Sequence, residues 1–123
     1  MVALEQERRE LLIVGEIEFP SDNDAFSDAT LNVTIQDVRE ADAPSQVLCK
    51  EVRRNVSRVQ GGGESLRFAI ECEGIPENLF VTVNVLVDLD GDGRISKGDY
   101  VNTESYPVQF FPREMRIRVQ RVK

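Results

Sequence analysis

Between Asp88 and Asp99, oxygen-bearing side chains recur at the first, third, fifth, ninth and twelfth places of one stretch: Asp88-Leu89-Asp90-Gly91-Asp92-Gly93-Arg94-Ile95-Ser96-Lys97-Gly98-Asp99. A hard divalent cation such as Ca²⁺ takes six to eight oxygens at roughly 2.3–2.6 Å, and a chain surrounds it by turning sharply so that alternate side chains point inward. The spacing therefore assigns Asp88, Asp90, Asp92 and Asp99 as carboxylate ligands, with the carbonyl of Arg94 and a water held by Ser96. Gly93, at the sixth place, permits the turn, and Ile95, at the eighth, reads as an apolar anchor that pins the loop to a core. Asp99 is one methylene shorter than Glu and reaches an ion with one oxygen, so affinity is expected to be modest. A plainer reading needs no metal: Asp-Gly occurs twice in four residues, a strong turn signal for an acidic hairpin.

Other chemistries are poorly supplied. The chain has no histidine, which removes an imidazole base and a hydrolytic triad. Its two cysteines, Cys49 and Cys72, lack CxxC spacing, so a zinc site is not expected. They are either two buried thiols or one disulfide between strands in an oxidising compartment. Gly61-Gly62-Gly63-Glu64-Ser65 lacks the lysine of a phosphate-binding loop. A net charge of −7 over 123 residues repels nucleic acid and anionic lipid and favours divalent cations. The chain is expected to be no enzyme.

The acidic stretch has to be held by whatever flanks it. Leu79 to Val87 is rich in β-branched and aromatic residues with partial alternation, which predicts a strand entering the loop, apolar on both faces in places and so central in its sheet. Clean alternation sets Leu31, Val33 and Ile35 against Asn32, Thr34 and Gln36, and Phe68, Ile70 and Cys72 against Ala69 and Glu71. Met115, Ile117 and Val119 face inward at the end of the chain, with Arg116 and Arg118 outward on a solubilising face. Strands are also expected at Leu12 to Phe19, Gln46 to Arg54 and Tyr100 to Tyr106. The inward face of Gln46 to Arg54 is open between Val47/Cys49 and Leu48/Val52. Residues 1–10 are expected to be a tail or short helix, and 11–123 one domain: an all-β antiparallel immunoglobulin-like or prealbumin-like sandwich of about seven strands. No run is long enough for a transmembrane segment. The sequence is compatible with a cytoplasmic protein or an exported one whose targeting segment has been removed.

The twelve-residue loop resembles that of EF-hands and, with its final Asp, that of dockerins, although both families flank it with helices. Gly15-Glu16-Ile17, the strand Ala29 to Val38 ending in Asp37-Val38, and the turn Ala41-Asp42-Ala43-Pro44 together resemble the bacterial YbaY/YscW family. That resemblance covers roughly the first half of the chain. It implies a small sandwich, typically an exported lipoprotein, with one branch chaperoning the outer-membrane ring of a secretion system. Two functions are therefore expected from these residues. One is a non-enzymatic calcium-binding module with a structural or adhesive role. The other is a protein-binding, chaperone-like sandwich of pilotin type, with Phe110 and Phe111 as a first place for a partner and the acidic loop merely a hairpin.

Overall fold

Where apolar and polar residues alternate with period two, one face of a strand can be buried and the other solvated, and a shift of one residue would exchange them. The computed structural model describes residues 8–20, 25–37, 46–59, 66–76, 81–104, 106–107 and 113–123. These form seven strands: β1 (Arg8–Glu18), β2 (Phe26–Asp37), β3 (Gln46–Arg58), β4 (Leu66–Pro76), β5 (Val81–Asp88), β6 (Tyr100–Asn102) and β7 (Arg113–Arg121). There is no helix among the described residues. The GlyGlyGly stretch, the Ala-Asp-Ala-Pro turn and Phe110-Phe111 lie outside them.

The strands hydrogen-bond in the order β3-β2-β5-β6-β7-β1-β4. All-β architecture is thus observed, but the arrangement departs from the expected antiparallel sandwich in two ways. First, β7 runs parallel to β1, pairing Ile13 with Arg113 and Ile17 with Ile117, before its last residues pair antiparallel with β6. β7 therefore joins what would be two separate sheets into one. Second, the edge strands β3 and β4 face each other across a seam closed by side chains. A disulfide between Cys49 and Cys72 spans it with Cα atoms 5.8 Å apart, and the Arg53 guanidinium donates to the Arg67 carbonyl. The result is a nearly closed, barrel-like sheet. Because the loop it closes is 23 residues long, the disulfide stabilises by about 3 kcal/mol through the unfolded chain. The two alternatives for the cysteines resolve to the bridge, and no cysteine is free.

The core follows the alternation. Ile17, Leu31, Val33, Ile35, Phe68, Ile70, Val83, Val85, Ile117 and Val119 are all buried. Ile13, Ala29, Val56, Val81, Val87 and Tyr100 join them. Phe19, Phe26 and Tyr100 stack at one end, with Tyr100 edge-on to Phe19 at 5.1 Å. On β3 neither expected inward set is fully buried: Val47 and Val52 are exposed, Leu48 and Cys49 are half-buried, and only Val56 reaches the core. Register shifts along β2–β3, with Asp28 and Asn55 at positive φ, explain why no single parity holds. Several strand boundaries also move, β2 for instance starting at Phe26 rather than Ala29. Arg8 to Glu10, assigned from sequence to the tail, lie in β1; β3 runs on to Arg58; and β6 shrinks to three residues, leaving Thr82 and Pro107 as an isolated bridge.

The parallel pairing also explains the basic C-terminal strand. It sets Glu16 beside Arg116 and Glu18 beside Arg118, with ion-pair distances of 4.0 and 3.8 Å, while Arg67 reaches Glu16 and Glu114 at 3.1 and 3.0 Å. The arginines of these pairs are solvent-exposed, although Glu16 is half-buried, so each pair contributes at most about 1 kcal/mol and serves mainly to fix register.

Gly15 is where β1 passes most closely between its neighbours. A Cβ there would lie 2.6 Å from the Met115 carbonyl oxygen and 2.8 Å from the Phe68 ring. Backbone cannot move aside as a flexible side chain can, so Gly15→Ala should destabilise by about 1–3 kcal/mol. The midpoint of urea unfolding measures this, and an unchanged midpoint would mean that β1 and β7 do not approach as described.

Candidate functional site

The acidic loop leaves the end of β5 and returns into β6, so the barrel wall holds both of its ends. Asp88 is the last residue of β5 and Asp99 immediately precedes β6, and each is only 1% exposed. Buried carboxylates need donors, and the loop supplies them from its own backbone. Asp88 Oδ1 accepts from Gly91 N at 3.0 Å and Oδ2 from Gly93 N at 2.6 Å. Asp99 Oδ1 accepts from Leu89 N at 2.9 Å, and its Oδ2 accepts from Ser96 N at 2.9 Å. Gly93 takes φ +77°, the left-handed turn anticipated at the sixth place. The far end is tied down by Gly98 N donating to the Val122 carbonyl at 2.8 Å, and Val122 N donating to the Asp99 carbonyl at 2.7 Å.

Three of the four aspartates converge. Asp88, Asp90 and Asp99 each present a carboxylate oxygen within 4.8 Å of the others. Oxygens around a single Ca²⁺ at roughly 2.3–2.6 Å can stand no more than about 5 Å apart, so this span is compatible with one ion. The Ser96 hydroxyl sits between two of them, 3.3 Å from Asp90 Oδ2 and 3.1 Å from Asp99 Oδ2. Asp92 is not in the cluster; it is exposed and its Oδ1 accepts from Arg94 N at 2.9 Å. Ile95 does not anchor the loop, being 65% exposed. The loop is pinned instead through its buried aspartates and the Val122 backbone, which the motif spacing does not reveal.

The electrostatics match the crowding. Burial pushes the Asp88 carboxyl above its ordinary value, helped by its hydrogen-bonded contact with Asp90 and by the charge on Asp99. Asp90 moves the other way, chiefly because that same contact with Asp88 favours its ionised form. A cation placed among the three carboxylates would relieve both the burial of charge and the mutual repulsion.

A second concave region lies on the outer face of the sheet formed by β2, β5 and β6, beside the loop. Two adjoining hollows of about 390 and 420 Å³ share Asn32, Lys50 and Gly93 as lining. In the sequence these outward residues read only as the polar side of their strands.

No family model matches the chain, and no curated protein matches it in sequence. Among solved structures it is similar to an alternative pilotin from the type II secretion system of Vibrio cholerae, with a TM-score of 0.69, 95% of this chain and 99% of that one covered, and 21% identity. At that identity the likeness speaks for the fold, which extends over nearly the whole of both chains.

Proposed function

We propose that this chain is a non-enzymatic, protein-binding β-domain with a chaperone-like role of pilotin type. The observation that carries the reading is the end-to-end likeness in fold to a type II secretion pilotin. The implied sandwich of the YbaY/YscW resemblance points the same way, and the disulfide suits a protein that matures in an oxidising compartment. The test is direct association: the purified chain is mixed with the outer-membrane ring protein of the type II secretion system from the same organism and followed by sedimentation velocity. A complex at micromolar concentration is the expected result. A chain that sediments as a free species at every ratio would sink the pilotin reading.

We infer in addition that the loop from Asp88 to Asp99 is a calcium site that braces the domain rather than performing chemistry. The convergence of Asp88, Asp90 and Asp99 favours this over a plain hairpin. Ser96 would complete the inner set directly or through water, and Asp92 and the Arg94 carbonyl would have to turn inward to join. The two functions are compatible, because a metal can stiffen one end of a module that binds its partner elsewhere.

A further inference from the structure

An exposed sheet face is ordinarily covered by charged side chains, and the outer face of β2 and β5 is not. Strand register places Thr34 between Lys50 on β3 and Asn84 on β5, Asn32 between Val52 and Leu86, and Leu86 against Val101 on β6. The floor of the 390 Å³ hollow is consequently made of uncharged amides and hydroxyls: Asn32, Thr34, Gln36, Asn84 and Asn102. Several of these groups are partnered: Gln36 Nε2 donates to Thr34 Oγ1 at 2.8 Å, Asn102 Oδ1 accepts from Val85 N at 2.8 Å, and Asn102 Nδ2 donates to the Glu104 carbonyl at 3.0 Å. The exception is Asn32, whose Nδ2 is buried with no hydrogen-bond partner among the described residues.

The walls are unlike each other. Along β3 stand Lys50 and Arg54, both exposed and, among the described residues, without an ion-pair partner in a chain of net charge −7. Opposite, the acidic loop overhangs with Gly93 and the exposed Ile95, and the buried Asp88 also lines the 420 Å³ hollow. Among the described residues no aromatic side chain lines either hollow, so they offer no platform for stacking a sugar or a base, and the overall charge repels nucleic acid.

We infer that this groove takes an extended peptide segment bearing aspartate or glutamate, its main chain read by the amides of Asn32 and Asn84 and its carboxylates facing Lys50 and Arg54. Carboxamides both donate and accept, which is what a peptide unit requires and what a row of charged side chains cannot provide. Ile95 and Val101 offer apolar contact to the side chains between. The seam between β3 and β4 is the weaker place for a partner strand, since the disulfide already holds its two sides at 5.8 Å between Cα atoms. This inference rests on the protein-binding reading and names the segment that would be bound.

The full chain is screened against an array of random decapeptides, and the retained peptides are remeasured in solution with the wild type and with K50E/R54E. Both substituted residues are exposed, so the variant is expected to melt like the wild type. The inference expects retained peptides to be enriched in Asp and Glu, their affinity to fall at least tenfold in K50E/R54E, and the side-chain amide signals of Asn32 and Asn84 to shift on titration. Absence of retained peptides, no acidic enrichment, or unchanged affinity in the variant would each overturn it. If the secretion-ring protein still binds K50E/R54E at wild-type strength, the groove is wrong and the protein-binding reading survives. If neither the ring protein nor any peptide binds the wild type, both fail.

Discussion

Ile35→Asp is expected to remove most of the stability of this domain, lowering the melting temperature by about 15–25 °C or leaving the chain unfolded on expression. Ile35 is fully buried toward the end of β2, paired with Cys49 on β3 and Val83 on β5. The substitution forfeits about 2–3 kcal/mol of burial and places a carboxylate among aliphatic side chains with no donor to meet it. A total near 5 kcal/mol is comparable to the whole stability of a small domain. The neighbouring Thr34→Asp points outward beside Lys50 and should change stability by less than about 1 kcal/mol. Circular dichroism melts of the pair test the parity of β2. Similar losses for both, or a mild loss for Ile35→Asp, would mean that the strand is turned the other way.

That parity was legible because the β2 alternation is clean, and the same is true of the buried positions on β4, β5 and β7. The connectivity was not. Nothing in the sequence of Arg113 to Arg121 distinguishes a strand that pairs antiparallel from one that runs parallel to β1. The pairing is set by long-range packing, and the acidic and basic residues that match across it, Glu16 with Arg116 and Glu18 with Arg118, are visible as partners only once the register is known. β3 was ambiguous for a local reason. Asn55 at positive φ and the register shifts interrupt its period, so the positions inward at one end are not those inward at the other. The disulfide likewise depends on β3 and β4 being the two edges of one curved sheet, although they are separated in its order by every other strand.

The loop divides in a similar way. Its composition and glycine placement are a local pattern and could be read directly, and Asp88, Asp90 and Asp99 do converge. Which aspartates are buried depends on where β5 stops and β6 starts. Asp88 and Asp99 lie at those strand ends and are enclosed, whereas Asp92 sits at the exposed tip. Ile95 occupies the place of an anchoring residue in a helix-flanked loop, but between two strands it has no helix to pack on and faces solvent. The polar groove needed the pairing of β2 with β5 and β6 before its amides could be seen as neighbours.

Calcium should raise the melting temperature of this chain, and chelation should lower it. Without metal the site holds Asp88 and Asp99 buried within reach of Asp90, a concentration of negative charge that the backbone donors of Gly91, Gly93, Leu89 and Ser96 only partly offset. An ion that binds the folded state alone stabilises it by RT ln(1 + [L]/Kd), about 4 kcal/mol at a thousandfold excess over Kd. For a domain of this size that corresponds to a shift of roughly 10–20 °C. Mg²⁺ should do much less, because it resists dehydration and demands a tighter octahedron than three carboxylates on a glycine-rich loop can form. Asp90→Ala is the informative variant: Asp90 is exposed, so its loss should leave the metal-free melt nearly unchanged while abolishing the calcium shift. Asp92→Ala separates the motif from the geometry. If the three converging carboxylates are enough, this variant retains most of the shift; if the loop closes around the ion as the full spacing suggests, it loses much of it. Calorimetric titration of the chelated chain gives the affinity directly. Neither heat nor a melting shift at millimolar Ca²⁺ would reduce the loop to an acidic connection between β5 and β6.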